Sequence, residues 1–70
     1  MIRQPVSSSN LKSVGYDQGS AVLEIEFHSG GIYQYIGVPQ DVYVALMAAA
    51  SLGSFLHKHI RGKYPYHKVM

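Results

Sequence analysis

The chain has no cysteine, which excludes a disulfide framework and a thiolate metal site. It also has no long apolar run. The longest, Val42 to Ala50, falls far short of the roughly 20 residues that cross a bilayer. Met1-Ile2-Arg3-Gln4-Pro5 leads into serines rather than an apolar stretch, so no signal peptide is expected and the expected location is cytoplasmic. Acidic residues are missing from Val42 onward, where Lys58, Arg61, Lys63 and Lys68 stand with His57, His59 and His67. The net charge of +2 therefore hides a basic C-terminal end. Such asymmetry suits a polyanionic or acidic partner, and it also suits a merely solvated end of a small domain.

The signatures of catalysis are missing as well. There is no cysteine nucleophile and no G-x-S-x-G elbow around the serines. Asp17, Glu24, Glu26 and Asp41 are scattered, with Glu24 and Glu26 in the ordinary alternation of a strand. Gly30-Gly31 lacks the flanking pattern of a phosphate loop. His57 and His59 are two apart, whereas chelation from a helix wants a spacing of four. An enzyme is not expected, nor a cofactor, a metal or a small-molecule substrate.

What is present is a globular composition, 47% hydrophobic and 14% charged, in a chain of 70 residues that makes one small domain. Residues 1 to 8 read as a loose lead-in, 9 to 64 as the domain, and 65 to 70 as a basic, aromatic tail. Asn10 to Tyr16 is a candidate first strand, followed by the turn composition Asp17-Gln18-Gly19-Ser20. Ala21 to Phe27 alternates Ala21, Leu23, Ile25 and Phe27 with Val22, Glu24 and Glu26, the period of a half-buried strand. His28-Ser29-Gly30-Gly31 supplies a turn, and Ile32 to Ile36 returns as a third strand. With an even loop Ile32 and Ile36 share the face of Ile25 and Phe27, and Tyr33 and Tyr35 lie beside Glu24 and Glu26. With a three-residue loop and a left-handed glycine, Tyr33 and Tyr35 join the core face instead. A slip of one residue exchanges the faces, so both registers stay open.

Gly37-Val38-Pro39 breaks the strand, and Pro39 suits the start of a helix. From Pro39 to Ala50 that helix is apolar nearly all round, with Val42, Leu46 and Ala49 on one stripe and Val44 and Ala48 opposite. Such a helix is expected to be covered on more than one face, by the second helix or by a partner subunit. Ser51 or Ser54 is the candidate N-cap of a second helix, Ser54 to Arg61. It offers Phe55, Leu56, His59 and Ile60 inward, and Gly62 is placed to end it. The expected fold is α+β, a three-stranded antiparallel meander followed by two helices packed on one face.

The order of Ser7-Ser8, Gly15-Tyr16-Asp17, Phe27, a glycine turn, Tyr33-x-Tyr35, Gly37-Val38-Pro39, Tyr43, Ala50-Ser51-x-Gly53, Phe55, Ile60-Arg61 and Tyr64 resembles the KTSC domain. That short module occurs at the C-terminus of some bacterial lysyl-tRNA synthetases and as stand-alone bacterial and phage proteins, with Tyr-x-Tyr as its signature. The resemblance spans Ser8 to Tyr64. It implies a domain of unknown function for which RNA binding is suggested by attachment to a synthetase.

Two non-enzymatic readings follow. In the first, RNA is the partner, with Lys58, Arg61, Lys63 and Lys68 on phosphate, Tyr64 and Tyr66 available to stack, and Tyr33 and Tyr35 as the family motif. Carboxylates of Glu24 and Glu26 beside exposed tyrosines oppose this, and sheet tyrosines are more often part of the core. In the second reading, Tyr43 and Met47, or Val44 and Ala48, on the first helix form a protein-interaction or homodimer surface.

Overall fold

Alternation builds the centre of the sheet as expected. The computed structural model describes residues 1–70. In it, Leu11–Asp17 (β2), Val22–Phe27 (β3) and Ile32–Ile36 (β4) form an antiparallel meander. The sheet, however, has five strands rather than three, each hydrogen-bonded to its neighbours in chain order. Gln4–Pro5 (β1), within the expected lead-in, pairs with β2, and Tyr66–Lys68 (β5), within the expected tail, pairs with β4. Both added strands are edges. Proline has no N–H to donate and is tolerated at an edge, and β5 is three residues long, each of them exposed. Neither is long enough to display a period in the sequence.

The β3–β4 loop takes the odd register. Gly30 has φ +107, and the pairs Ile25↔Tyr33 and Leu23↔Tyr35 put both tyrosines on the face of Leu23 and Ile25. Glu24 stands opposite Gln34 on the other face. A bulge between Leu11 and Ser13 corrects the β2 register, so that Leu11 and Val14 both reach the core. The β2–β3 turn is held by Asp17, which accepts from Gly19 N at 3.1 Å and from the Ser20 hydroxyl at 2.8 Å. Ala21 then adopts φ +56, and its carbonyl accepts from the amides of Gly37 and Val38 at 3.0 Å each.

Helix α1 runs over Gln40–Ala48, with Pro39 at its N-cap and Asp41 in its first turn. Within the single chain, the cover expected on more than one face of this helix is incomplete. Only Leu46 is fully buried, Tyr43 stacks on Tyr16 with ring centroids 4.6 Å apart, and Val44, Ala45 and Ala48 face outward. The sheet and the second helix cover one side, and alanine is apolar yet small enough to stand on a surface at little cost. Helix α2 begins at Leu52, earlier than expected, because Ser51 is the N-cap and accepts from Ser54 N at 3.3 Å. After Phe55 it widens over Leu56–Ile60 into π-type bonding, with Arg61 N donating to Leu56 O at 2.8 Å. In the wider turn Leu56 and Ile60 take the inward positions. His59, expected inward, is exposed and packs on the Phe55 ring. The chain leaves the helix at Gly62, φ +79.

The core lies between the sheet and the two helices. It comprises Leu11, Val14, Leu23, Ile25, Tyr35, Val38, Leu46, Leu56 and Ile60, and each fully buried aliphatic side chain contributes about 1.5–3 kcal/mol. The opposite face of the sheet carries a polar network instead. The Arg3 guanidinium pairs with Glu24 and donates from Nε to Ser13 Oγ at 3.0 Å. Ser13 donates to Glu26 at 2.8 Å, and Gln34 Nε2 donates to Glu24 at 2.8 Å.

Candidate functional site

The odd register leaves the tyrosines at the margin of the helical layer. Tyr35 is 3% exposed and belongs to the core, Tyr33 is half-buried, and Tyr66 of β5 is 59% exposed. Tyr33 lies 5.5 Å from Phe27 and 5.7 Å from Tyr66 between ring centroids, and Tyr66 lies 5.5 Å from Tyr35. These rings, with Ser29 and Arg61, bound a cleft of about 210 Å³. Burial pushes the Tyr35 phenol above its usual range, and the nearby positive charge of Arg61 partly opposes that rise.

A second cleft, about 300 Å³, lies between the start of β2 and the second helix. Asn10, Ser54, His57, Lys58 and Arg61 give it polar and basic walls. Phe27 and Arg61 line both clefts, so the two are neighbours across those side chains. No aspartate or glutamate lines either one.

The separation of charge is a consequence of the strand register. Residues paired across antiparallel strands share a face, so Glu24 and Glu26 stand on the side away from the tyrosines, bound to Arg3, Ser13 and Gln34. The conflict expected between exposed tyrosines and neighbouring carboxylates does not arise. The Glu24 carboxyl is held below its ordinary range, first by the Gln34 hydrogen bond and then by Arg3, against the opposing effect of burial.

Of the residues singled out in the sequence, Arg61 is shared by both clefts and Lys58 lines the basic one. Lys68 is the cross-strand partner of Tyr33, on the same face of the sheet. Lys63 is exposed and lines neither cleft, and Tyr64 is half-buried against the core. Phe27, Ser29 and Asn10 were not legible as site residues. Phe27 reads as the last core residue of a strand, and Ser29 and Asn10 as loop polars. No group of histidine and acidic side chains is arranged to hold a metal ion, and no helix is long and apolar enough to cross a membrane.

Comparison with known proteins agrees with this architecture. The KTSC domain family model matches residues 7–64. An uncharacterized protein from Stutzerimonas stutzeri is 40% identical over 70 residues, covering 99% of each chain. A lysine–tRNA ligase from Trichormus variabilis is 38% identical over 61 residues, which cover 87% of this chain but 11% of that enzyme. The crystal structure of a KTSC domain protein from Yersinia pestis superposes with a TM-score of 0.96 at 45% identity, covering 99% of this chain and 97% of that one. Matched along most of its length in sequence and in fold, this chain belongs to the KTSC domain family.

Proposed function

We propose that this protein is a non-enzymatic RNA-binding module whose contact surface is the face holding the two clefts. The observation that carries this reading is the sorting of charge by the sheet. Arg61, Lys58, His57 and Lys68 collect beside an aromatic cluster on one side, and Glu24 and Glu26 are tied up on the other. Lys and Arg supply phosphate contacts, and exposed tyrosines supply stacking area. In this reading Lys58, Arg61 and Lys68 contact phosphate, Lys63 adds to the field, and Tyr64, half-buried against the core, has only its exposed part to offer. The kinship with a stretch of a lysine–tRNA ligase, an enzyme named for an RNA substrate, points the same way.

The test is fluorescence anisotropy of labelled single-stranded RNA, titrated at two or more salt concentrations. Each phosphate contact contributes about 0.7 to the slope of log affinity against log salt for a single strand. Lys58→Ala with Arg61→Ala should weaken binding and lower that slope by about two contacts' worth. An unchanged affinity and slope in the double variant would remove this face from the reading.

The competing reading, self-association through α1, draws on the outward Val44, which is 54% exposed. A dimer in solution that is lost on Ala48→Lys, in a protein without affinity for RNA, would favour it.

A further inference from the structure

We infer that the tyrosine cleft is a slot for one unpaired base, so that the ligand is single-stranded rather than duplex RNA. This rests on the reading given above and names the ligand class for the same face.

Size is the first argument. At about 210 Å³ the cleft is smaller than the roughly 300–1,000 Å³ of sites for drug-sized ligands, which suits one planar ring system and not a whole cofactor. The second argument is the lining. Phe27, Tyr33, Tyr35 and Tyr66 contribute four aromatic rings, and the only other side chains are those of Ser29 and Arg61. Aliphatic side chains are absent from it. Every nucleobase has a π-face, and aromatic rings stack on it without regard to sequence. A guanidinium stacks on planar groups and also forks onto phosphate. Arg61 is placed for both, because it lines the basic cleft with Lys58 and His57 as well. A nucleotide whose base enters the slot thus meets cations on the neighbouring side of Arg61, where its backbone continues.

Tyr66 gives the third argument. It sits on the outer strand of the sheet and remains 59% exposed although it touches two buried or half-buried tyrosines. Its ring is not consumed by the core and has a free face to offer. Bases inside an A-form duplex are stacked on one another and present no such face. The slot can therefore be filled only by a base that has left, or never joined, a helix.

The experiment uses the intact chain and three probes of equal phosphate number: an oligoadenylate, the same ribose-phosphate chain without bases, and a blunt RNA duplex of half that length. The oligoadenylate should bind about 5- to 150-fold more tightly than the abasic chain, the range for one stacked base. Tyr66→Ala should abolish that preference and leave the salt slope unchanged, since no phosphate contact is lost. Tyr66→Leu, which keeps apolar bulk on the edge strand but has no π-face, should behave like the alanine variant. The chain has no tryptophan, so tyrosine emission reports stacking directly and should be quenched by the oligoadenylate and not by inorganic phosphate. Equal affinity for abasic and base-bearing chains, a preference for the duplex, or full affinity in Tyr66→Leu would overturn the slot while leaving RNA binding in place. No binding of any probe would overturn both.

Discussion

Arg3 reaches across β2 to pair with Glu24 on the sheet face opposite the helices, joining an edge strand to the centre of the sheet. Gly15 lies between them, and a Cβ there would come within 3.0 Å of Arg3 Cγ and of the Ile2 carbonyl oxygen. The crossing therefore depends on the absence of a side chain at that position. It holds β1 in place and removes two carboxylates from the electrostatics of the tyrosine face.

This pair makes the stability pH-dependent with a definite sign. The Glu24 carboxyl titrates below its ordinary value of 4.5 in the folded chain, through the Gln34 hydrogen bond first and Arg3 next. The unfolded chain therefore binds this proton more readily, and the stabilisation is complete above 4.5 and lost as pH falls through the folded value. Glu24→Gln should melt lower than the native chain at neutral pH and lose less on acidification. Thermal unfolding followed by circular dichroism on both sides of that range decides it. Parallel pH profiles for the two proteins would show that Glu24 is not the group responsible.

Removing the cation tests the same network from its other end. Arg3→Met keeps much of the side chain's length and leaves Glu24 and Ser13 each short of a donor. The expected loss is about 1.5–2 kcal/mol by urea unfolding, in the lower part of the range for charged hydrogen bonds, since Arg3 retains 28% of its side-chain exposure. A loss within about 0.5 kcal/mol, the usual scatter of surface changes, would mean that β1 is held by its backbone pairing alone.

The turn glycine fixes which face the tyrosines occupy. Gly30, at φ +107, sits where a side chain strains the backbone, and its amide donates to Phe27 O at 2.9 Å. Gly30→Val should cost about 1–3 kcal/mol, the range for such backbone outliers. It should also shift the chemical shifts of Tyr33 and Phe27, whose rings meet edge to face at 5.5 Å. A stable Gly30→Val chain with unmoved Tyr33 signals would show that the register is set elsewhere.

How far the sequence could be read follows from these same residues. The alternation of Leu23, Glu24, Ile25 and Glu26 announces β3, and the tight spacing of Ile32 to Ile36 announces β4, because each strand is half-buried and its period is two. The register between them was undetermined, since a loop differing by one residue inverts every side chain and Gly30's backbone angle is not written in its identity. Strands β1 and β5 went unseen because two or three exposed residues carry no period. They pair because β2 and β4 otherwise offer open edges. The tyrosine cleft depends on β5, so the basic residues were legible as a group but their assembly with Phe27, Ser29 and Tyr66 was not.

The helix α1 surface offers a contrast between apolar residues that look alike in sequence. Leu46 is fully buried and Val44, two positions earlier, is 54% exposed. Leu46→Ala should cost about 2–5 kcal/mol, and Val44→Lys should change stability by less than about 0.5 kcal/mol. Urea unfolding of both variants measures the difference. A large loss in Val44→Lys would indicate that this face is covered in solution, and the molar mass would then show a second copy.

The last strand joins stability to the proposed site. Ile32 N donates to Met70 O at 3.1 Å and its carbonyl accepts from Val69 N at 2.8 Å, while Tyr66 covers Tyr33 and Tyr35. A chain ending after Pro65 keeps the bond from Ile36 N to Pro65 O but loses the rest of this edge. The buried aliphatic core is untouched, so the truncated chain should still fold, with a loss of about 1–3 kcal/mol. Its affinity for single-stranded RNA should fall further than that of Tyr66→Ala, because Lys68 goes as well, and its salt slope should drop by about one contact, roughly 0.7. Truncation that lowers the melting temperature yet leaves RNA affinity and slope intact would confine β5 to a structural role and place the ligand on the Lys58 side of Arg61.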